Sequence, residues 1–186
     1  NGPYKILQHP MPEYKNLDIG GVDSYDQDKA GASDSLGSAI IYRRFANTDI
    51  PSDYVVAEYT DRPSKKEDFW DGVLKLAVYY NSKMLVEYTK TRNRYGVHMN
   101  KQIKSLLEDL IDDYIRESIE DIWFLELIDE LANYGLQNTD RAMAFGLSLI
   151  HNIDNYRLQV TEKEEKTDLG FKYYKMGYKG IPTQMK

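Results

Sequence analysis

Three carboxylates stand where regular structure starts or stops. Asp23 closes the short apolar run that begins at Ile19, Glu87 falls near the end of Lys-Met-Leu-Val-Glu-Tyr (83–88), and Asp140 lies in the first turn of an apolar-periodic helix. A carboxylate at the end of an apolar strand reaches solvent and ligand at the sheet edge. One inside a nearly all-apolar strand, such as Glu87, is costly unless it is paired or coordinated. The loop after Asp23 adds Asp26, Asp28 and Asp34. Oxygen-only clusters of this kind suit hard divalent cations, Mg²⁺ or Mn²⁺, rather than zinc. The plainer readings stand beside this one: a strand-ending turn for Asp23, a dipole-favoured helix charge for Asp140, and solvated loop acids for the other three.

The 186-residue chain has no cysteine, so a disulfide framework, a thiolate nucleophile and a Cys-based zinc site are all excluded. Its length suits one compact domain, or a domain with a tail. The net charge of −6 argues against a passive nucleic-acid binder that relies on a basic surface. It does not argue against a nuclease, because carboxylates that hold cations lower the formal sum. No apolar run has the length of a membrane span, and no signal peptide is recognisable.

The elements that must position the acids follow from periodicity. Residues 1–18 carry Pro3, Pro10 and Pro12 and read as an extended lead-in. Strands are expected at Ile19–Ser24, Gly37–Phe45 and Tyr54–Thr60, joined as an antiparallel meander. Ser64 with Glu67 forms a capping-box pattern before an amphipathic helix ending near Asn81. Lys83–Tyr88 follows as a central strand, parallel to the strand before the helix. After it comes a basic connection with Lys90, Arg92 and Arg94. Helices are expected over about 100–117, over 119–134 with Gly135 as C-cap, and from Asn138 or Thr139 onward. Residues 19–153 form the predicted domain, and 154–186 turn polar as a tail.

This order, three antiparallel strands, a helix, a parallel strand and then helices, is that of an α/β ribonuclease-H-like fold with a mixed sheet flanked by helices. In that topology the ends of the first and fourth strands and the start of the last helix converge, which brings Asp23, Glu87 and Asp140 together. Three converging carboxylates repel one another, and one or two divalent cations relieve that repulsion. Two such ions can activate a water and stabilise the leaving oxygen in phosphodiester cleavage.

Gly-Val-Asp followed by Gly-Ser-Ala-Ile-Ile-Tyr, the Leu-Val-Glu-Tyr-Thr strand end, and Asn-Thr-Asp-Arg-Ala-Met-Ala-Phe-Gly-Leu resemble the nuclease domain of tailed-phage terminase large subunits. The resemblance covers residues 19–153. It implies a metal-dependent endonuclease that cuts concatemeric double-stranded viral DNA during genome packaging in the host cytoplasm. Its motif acids carry over to Asp23, Glu87 and Asp140, and its cofactor would be Mg²⁺ or Mn²⁺, as two ions. Asp26, Asp28 and Asp34 are auxiliary ligand candidates. Two departures bear on the ligand set: Tyr88 stands where the family often has Asn, and Thr139 precedes Asp140 where paired acids are common.

Lys90, Arg92 and Arg94 are candidate phosphate contacts, with Arg43, Arg44, Lys65 and Lys66 as weaker ones. No Gly-x-x-x-x-Gly-Lys-Ser/Thr loop occurs, so the family's ATPase motor is expected to be missing from this chain. Implied partners are that motor domain, the portal protein and the small terminase subunit. The alternatives are another ribonuclease-H-like nuclease of resolvase or transposase type, and a non-catalytic module docking on portal or capsid protein. His9, His98 and His151 are scattered and receive no ligand role.

Overall fold

A computed structural model of the chain describes residues 2–25, 35–88, 96–136, 138–154, 160–162, 174–176 and 182–184. Asp26, Asp28, Asp34, Lys90, Arg92 and Arg94 lie outside the described residues.

The elements run β1 (Tyr4–Ile6), β2 (Tyr14–Lys15), β3 (Asp18–Asp23), β4 (Gly37–Arg43), β5 (Tyr54–Asp61), α1 (Lys66–Tyr80), β6 (Lys83–Tyr88), β7 (Val97–His98), α2 (Lys101–Ser118), α3 (Leu125–Ala132) and α4 (Asp140–Asp154). Three short strands follow: β8 (Thr161–Glu162), β9 (Tyr174–Met176) and β10 (Pro182–Gln184). A six-stranded sheet has the order β1-β5-β4-β3-β6-β7. β3, β4 and β5 form the expected antiparallel meander, and β6 runs parallel to β3, with which it pairs directly.

Two side-chain layers alternate along the strands, as a period of two requires. Ile19, Ile40, Tyr42 and Val55 face α2, α3 and α4. Val22, Ala39, Ile41 and Val56 face α1 through Phe69, Val73 and Leu76. Both sheet faces are therefore covered, which explains why β4 reads as a nearly unbroken apolar run.

Gly21 sets the closest of these contacts. A Cβ there would collide with the Ala144 carbonyl oxygen and the Ser148 amide, and would lie 2.9 Å from the Leu147 carbonyl carbon. Without a side chain, β3 takes the backbone of α4 directly against it. His151 fastens the same helix, its Nδ1 lying 2.9 Å from the Gly20 carbonyl oxygen.

Several elements depart from the sequence reading. The lead-in supplies β1, which pairs with β5, and β2, which pairs with β8. The single helix expected over 119–134 is a 3-10 turn at Ile119–Asp121 followed by α3. The connection 122–124 between them buries Ile122 and Phe124. Burial of these two side chains outweighs continuation of the helix, since an unbroken 3.6 period would turn them to different faces. Lys65, not Ser64, occupies the cap position of α1. Asn81 ends that helix in the left-handed conformation, donating its backbone N–H to the last turn.

Candidate metal centre

Backbone register brings the first two acids together. Gly21 lies beside Leu85 and Val22 beside Val86 in the parallel β3–β6 pair, so one further step sets Asp23 beside Glu87. Neighbouring strands lie about 4.8 Å apart, within carboxylate reach. Alternation also gives Asp23 the face of Gly21, the face that α4 covers. The Asp23 and Glu87 side chains are hydrogen-bonded to each other.

α4 runs back over β3, so its first turn arrives at the same end of the sheet. Asp140 is its first residue. Its Oδ1 accepts from Ser35 Oγ at 2.9 Å and its Oδ2 from the Leu36 amide at 2.9 Å. It thereby holds the start of β4 against the helix that carries it. Arg62 completes this corner, donating from a guanidinium nitrogen to the Ser35 carbonyl oxygen at 2.8 Å and lying over the Tyr25 ring.

The electrostatics are those of crowded acids. Asp23 is pushed far above the ordinary carboxylate range. Burial is the largest cause, followed by the charge and hydrogen bond of Glu87 and then the charges of Asp140 and Glu130. Burial and the neighbouring acids thus favour the neutral form of the Asp23 carboxyl when no cation is beside it. Among the described residues, no three His, Cys, Asp or Glu side chains close around a common point that could hold an ion. The assembled part is the Asp23–Glu87 pair. Asp140 acts on it through space while its own oxygens are engaged by Ser35 and Leu36. The donor chemistry nevertheless fits a hard cation: all donors are carboxylate oxygens, and a positive ion would relieve the crowding that raises Asp23.

Arg43 and Arg44 correct the sequence reading. The β3–β4 register sets Asp18 opposite Arg43 and Asp23 opposite Ser38, so these arginines lie at the far end of the sheet, about 17 Å along the strand from the acids. Both are buried. Arg43 donates to both Asp18 oxygens at 2.9 and 3.2 Å, to Gln8 Oε1 at 2.8 Å and to the His9 carbonyl at 2.9 Å. Arg44 donates to Asn152 Oδ1 and to the Asn16 carbonyl. They are interior ties, not phosphate contacts. Arg43→Ala should lower unfolding free energy by about 3–5 kcal/mol, because it strands the Asp18 carboxylate. Urea unfolding measures that loss, and DNA affinity should not change.

Glu130 is the site residue that the sequence reading missed. It is a buried acid on α3, between Leu127 and Leu131 on the same face. An acid at the i+3 position of an apolar stripe is the signal that pointed to it.

The sheet order and the helices laid on both faces are those of a ribonuclease-H-like fold, in the form carried by phage large-terminase nuclease domains. The large terminase nuclease from thermophilic phage G20c with bound magnesium superposes with a TM-score of 0.61, covering 81% of this chain and 88% of that one at 11% identity. The same nuclease with bound zinc gives a TM-score of 0.60 over 80% and 87% at 10% identity. The Thermus phage P74-26 large terminase nuclease domain gives 0.59 over 80% and 85% at 12% identity. No protein-family model matches the sequence, and no curated protein does. Among the described residues, no helix is long and apolar enough to cross a membrane.

Proposed function

We propose that this chain is the metal-dependent endonuclease domain of a phage terminase large subunit, cleaving concatemeric double-stranded DNA during genome packaging in the host cytoplasm. The observation that carries the reading is the Asp23–Glu87 carboxylate pair beside the N-terminus of α4, in a fold shared with large-terminase nucleases. Asp23, Glu87 and Asp140 would hold Mg²⁺ or Mn²⁺, two ions in all, with Asp26, Asp28 and Asp34 as auxiliary donors. The ions, when bound, would activate a water and stabilise the leaving oxygen. Bound beside Asp23 and Glu87, a cation would offset the crowding that now holds the Asp23 carboxyl above its ordinary range. Lys90, Arg92 and Arg94 would grip phosphates next to the cut. The ATPase motor, the portal protein and the small terminase subunit would supply most of the DNA grip.

Plasmid cleavage tests the reading. The chain should nick and linearise plasmid with Mn²⁺, stop with EDTA, and slow as salt rises, because a domain of charge −6 has little surplus attraction for phosphate. Preference for branched over linear duplex would point instead to a resolvase-type enzyme. Absence of any Mn²⁺-dependent cleavage, at low salt and high protein, would leave a docking module.

A further inference from the structure

We infer that Glu130 is a positioning residue for the metal centre: from α3 it caps the N-terminus of α4 and so fixes where Asp140 stands. The inference rests on the nuclease reading above.

The first intrahelical bond of α4 runs from the Met143 amide to the Thr139 carbonyl at 2.8 Å, which makes Thr139 the N-cap and Asp140 the first helical residue. The next two amides, of Arg141 and Ala142, are the ones an N-cap side chain ordinarily satisfies. Here both go to Glu130 Oε2, at 2.7 and 3.2 Å. Its other oxygen accepts from the Arg141 guanidinium at 2.6 Å. Glu130 thus takes the cap role that the sequence suggests for Asn138 or Thr139, from a separate helix. A local cap would tie the first turn of α4 only to its own loop. A cap from a neighbouring helix ties the first turn to the body of the domain.

Glu130 is itself held. Arg141 Nε lies 3.6 Å from Glu58 Oε2 on β5, an ion pair rather than a hydrogen bond. Glu58 meets Lys5 of β1 at 2.8 Å, and Lys5 meets Glu126 of α3 at 2.5 Å. This chain of alternating charges links α4 to α3, β5 and β1 behind the acids. Buried side chains that orient ligands in this way tune metal affinity without touching the ion.

Two substitutions separate reach from charge. Glu130→Gln keeps an oxygen acceptor for the Arg141 and Ala142 amides but removes the charge. Glu130→Asp keeps the charge but withdraws the acceptor by one methylene. Mn²⁺ binding, measured by calorimetry on the intact chain, should stay within about threefold for Glu130→Gln and weaken roughly tenfold or more for Glu130→Asp. Hydrogen exchange without metal should show the Arg141 and Ala142 amides protected in the parent and Glu130→Gln but faster in Glu130→Asp. The reverse ranking in either measurement, or no difference, overturns the inference. If the parent binds no Mn²⁺, the nuclease reading fails, and exchange alone still decides whether Glu130 holds the helix.

Discussion

Asp23→Asn should abolish cleavage while making the metal-free protein harder to unfold. The loss of activity is expected to reach on the order of a thousandfold, equivalent to about 4 kcal/mol of barrier, since the amide is a poor substitute for an anionic ligand. The gain in stability follows from the same crowding. In the folded chain the Asp23 carboxyl is pushed up to about 9, against about 3.9 for an ordinary aspartate. Between those values the folded state keeps a proton that the unfolded state has released. Its contribution to stability is therefore complete at low pH and is lost as pH rises through the window.

Asn carries no such liability. At pH 8 without metal the variant should melt above the parent, by about 2–4 °C for each 1 kcal/mol recovered. Asp18, Asp53 and Glu130 are raised as well, chiefly by burial, so the diagnostic quantity is the parent-minus-variant difference across pH. Adding Mn²⁺ should reverse the order, because the parent gains ligand stabilisation that the variant lacks. Calorimetric melts at several pH values, with and without Mn²⁺, make the check. A variant that melts with the parent throughout would mean that Asp23 is neither strained nor a ligand.

Gly21→Ala should be the most damaging single methyl in the sheet. The added Cβ meets backbone atoms of Ala144, Leu147 and Ser148, none of which can rotate aside. Relief requires α4 to lift from β3, at about 3 kcal/mol or more, the upper end for overpacking. In a domain of this size that lowers the melting temperature by roughly 6–12 °C. The fraction that still folds should cleave poorly, because lifting α4 carries Asp140 away from Asp23. Gly20→Ala is the internal control. Its Cβ meets mainly the sulfur and terminal methyl of Met84, a flexible side chain, although the Ile40 carbonyl oxygen is also 2.9 Å away. It should fold better than Gly21→Ala and retain more activity. If the two alanine variants melt together, the direct seating of the helix on Gly21 is not what holds these elements in place.

Most of the strands and helices, and the places where Asp23, Glu87 and Asp140 stand in them, were legible along the chain because each depends on short-range pattern. Ile19–Asp23 and Lys83–Tyr88 announce themselves as apolar runs with a carboxylate near the end, and Asp140 announces a helix start. Neighbours within a few residues determine those features. The tertiary structure alone decided which charges are interior. Arg43 looks like a surface cation in any local window, yet its partner Asp18 lies 25 residues away and meets it only once β3 and β4 are in register. Glu130 looks like one more helical acid until α4 presents two unsatisfied amides to it. The lead-in becomes a strand only because β5 offers an open edge. Periodicity reports which face of an element is apolar. It carries no information about which distant backbone group will arrive there needing a partner, and the pairing of buried charges and helix ends depends on that arrival.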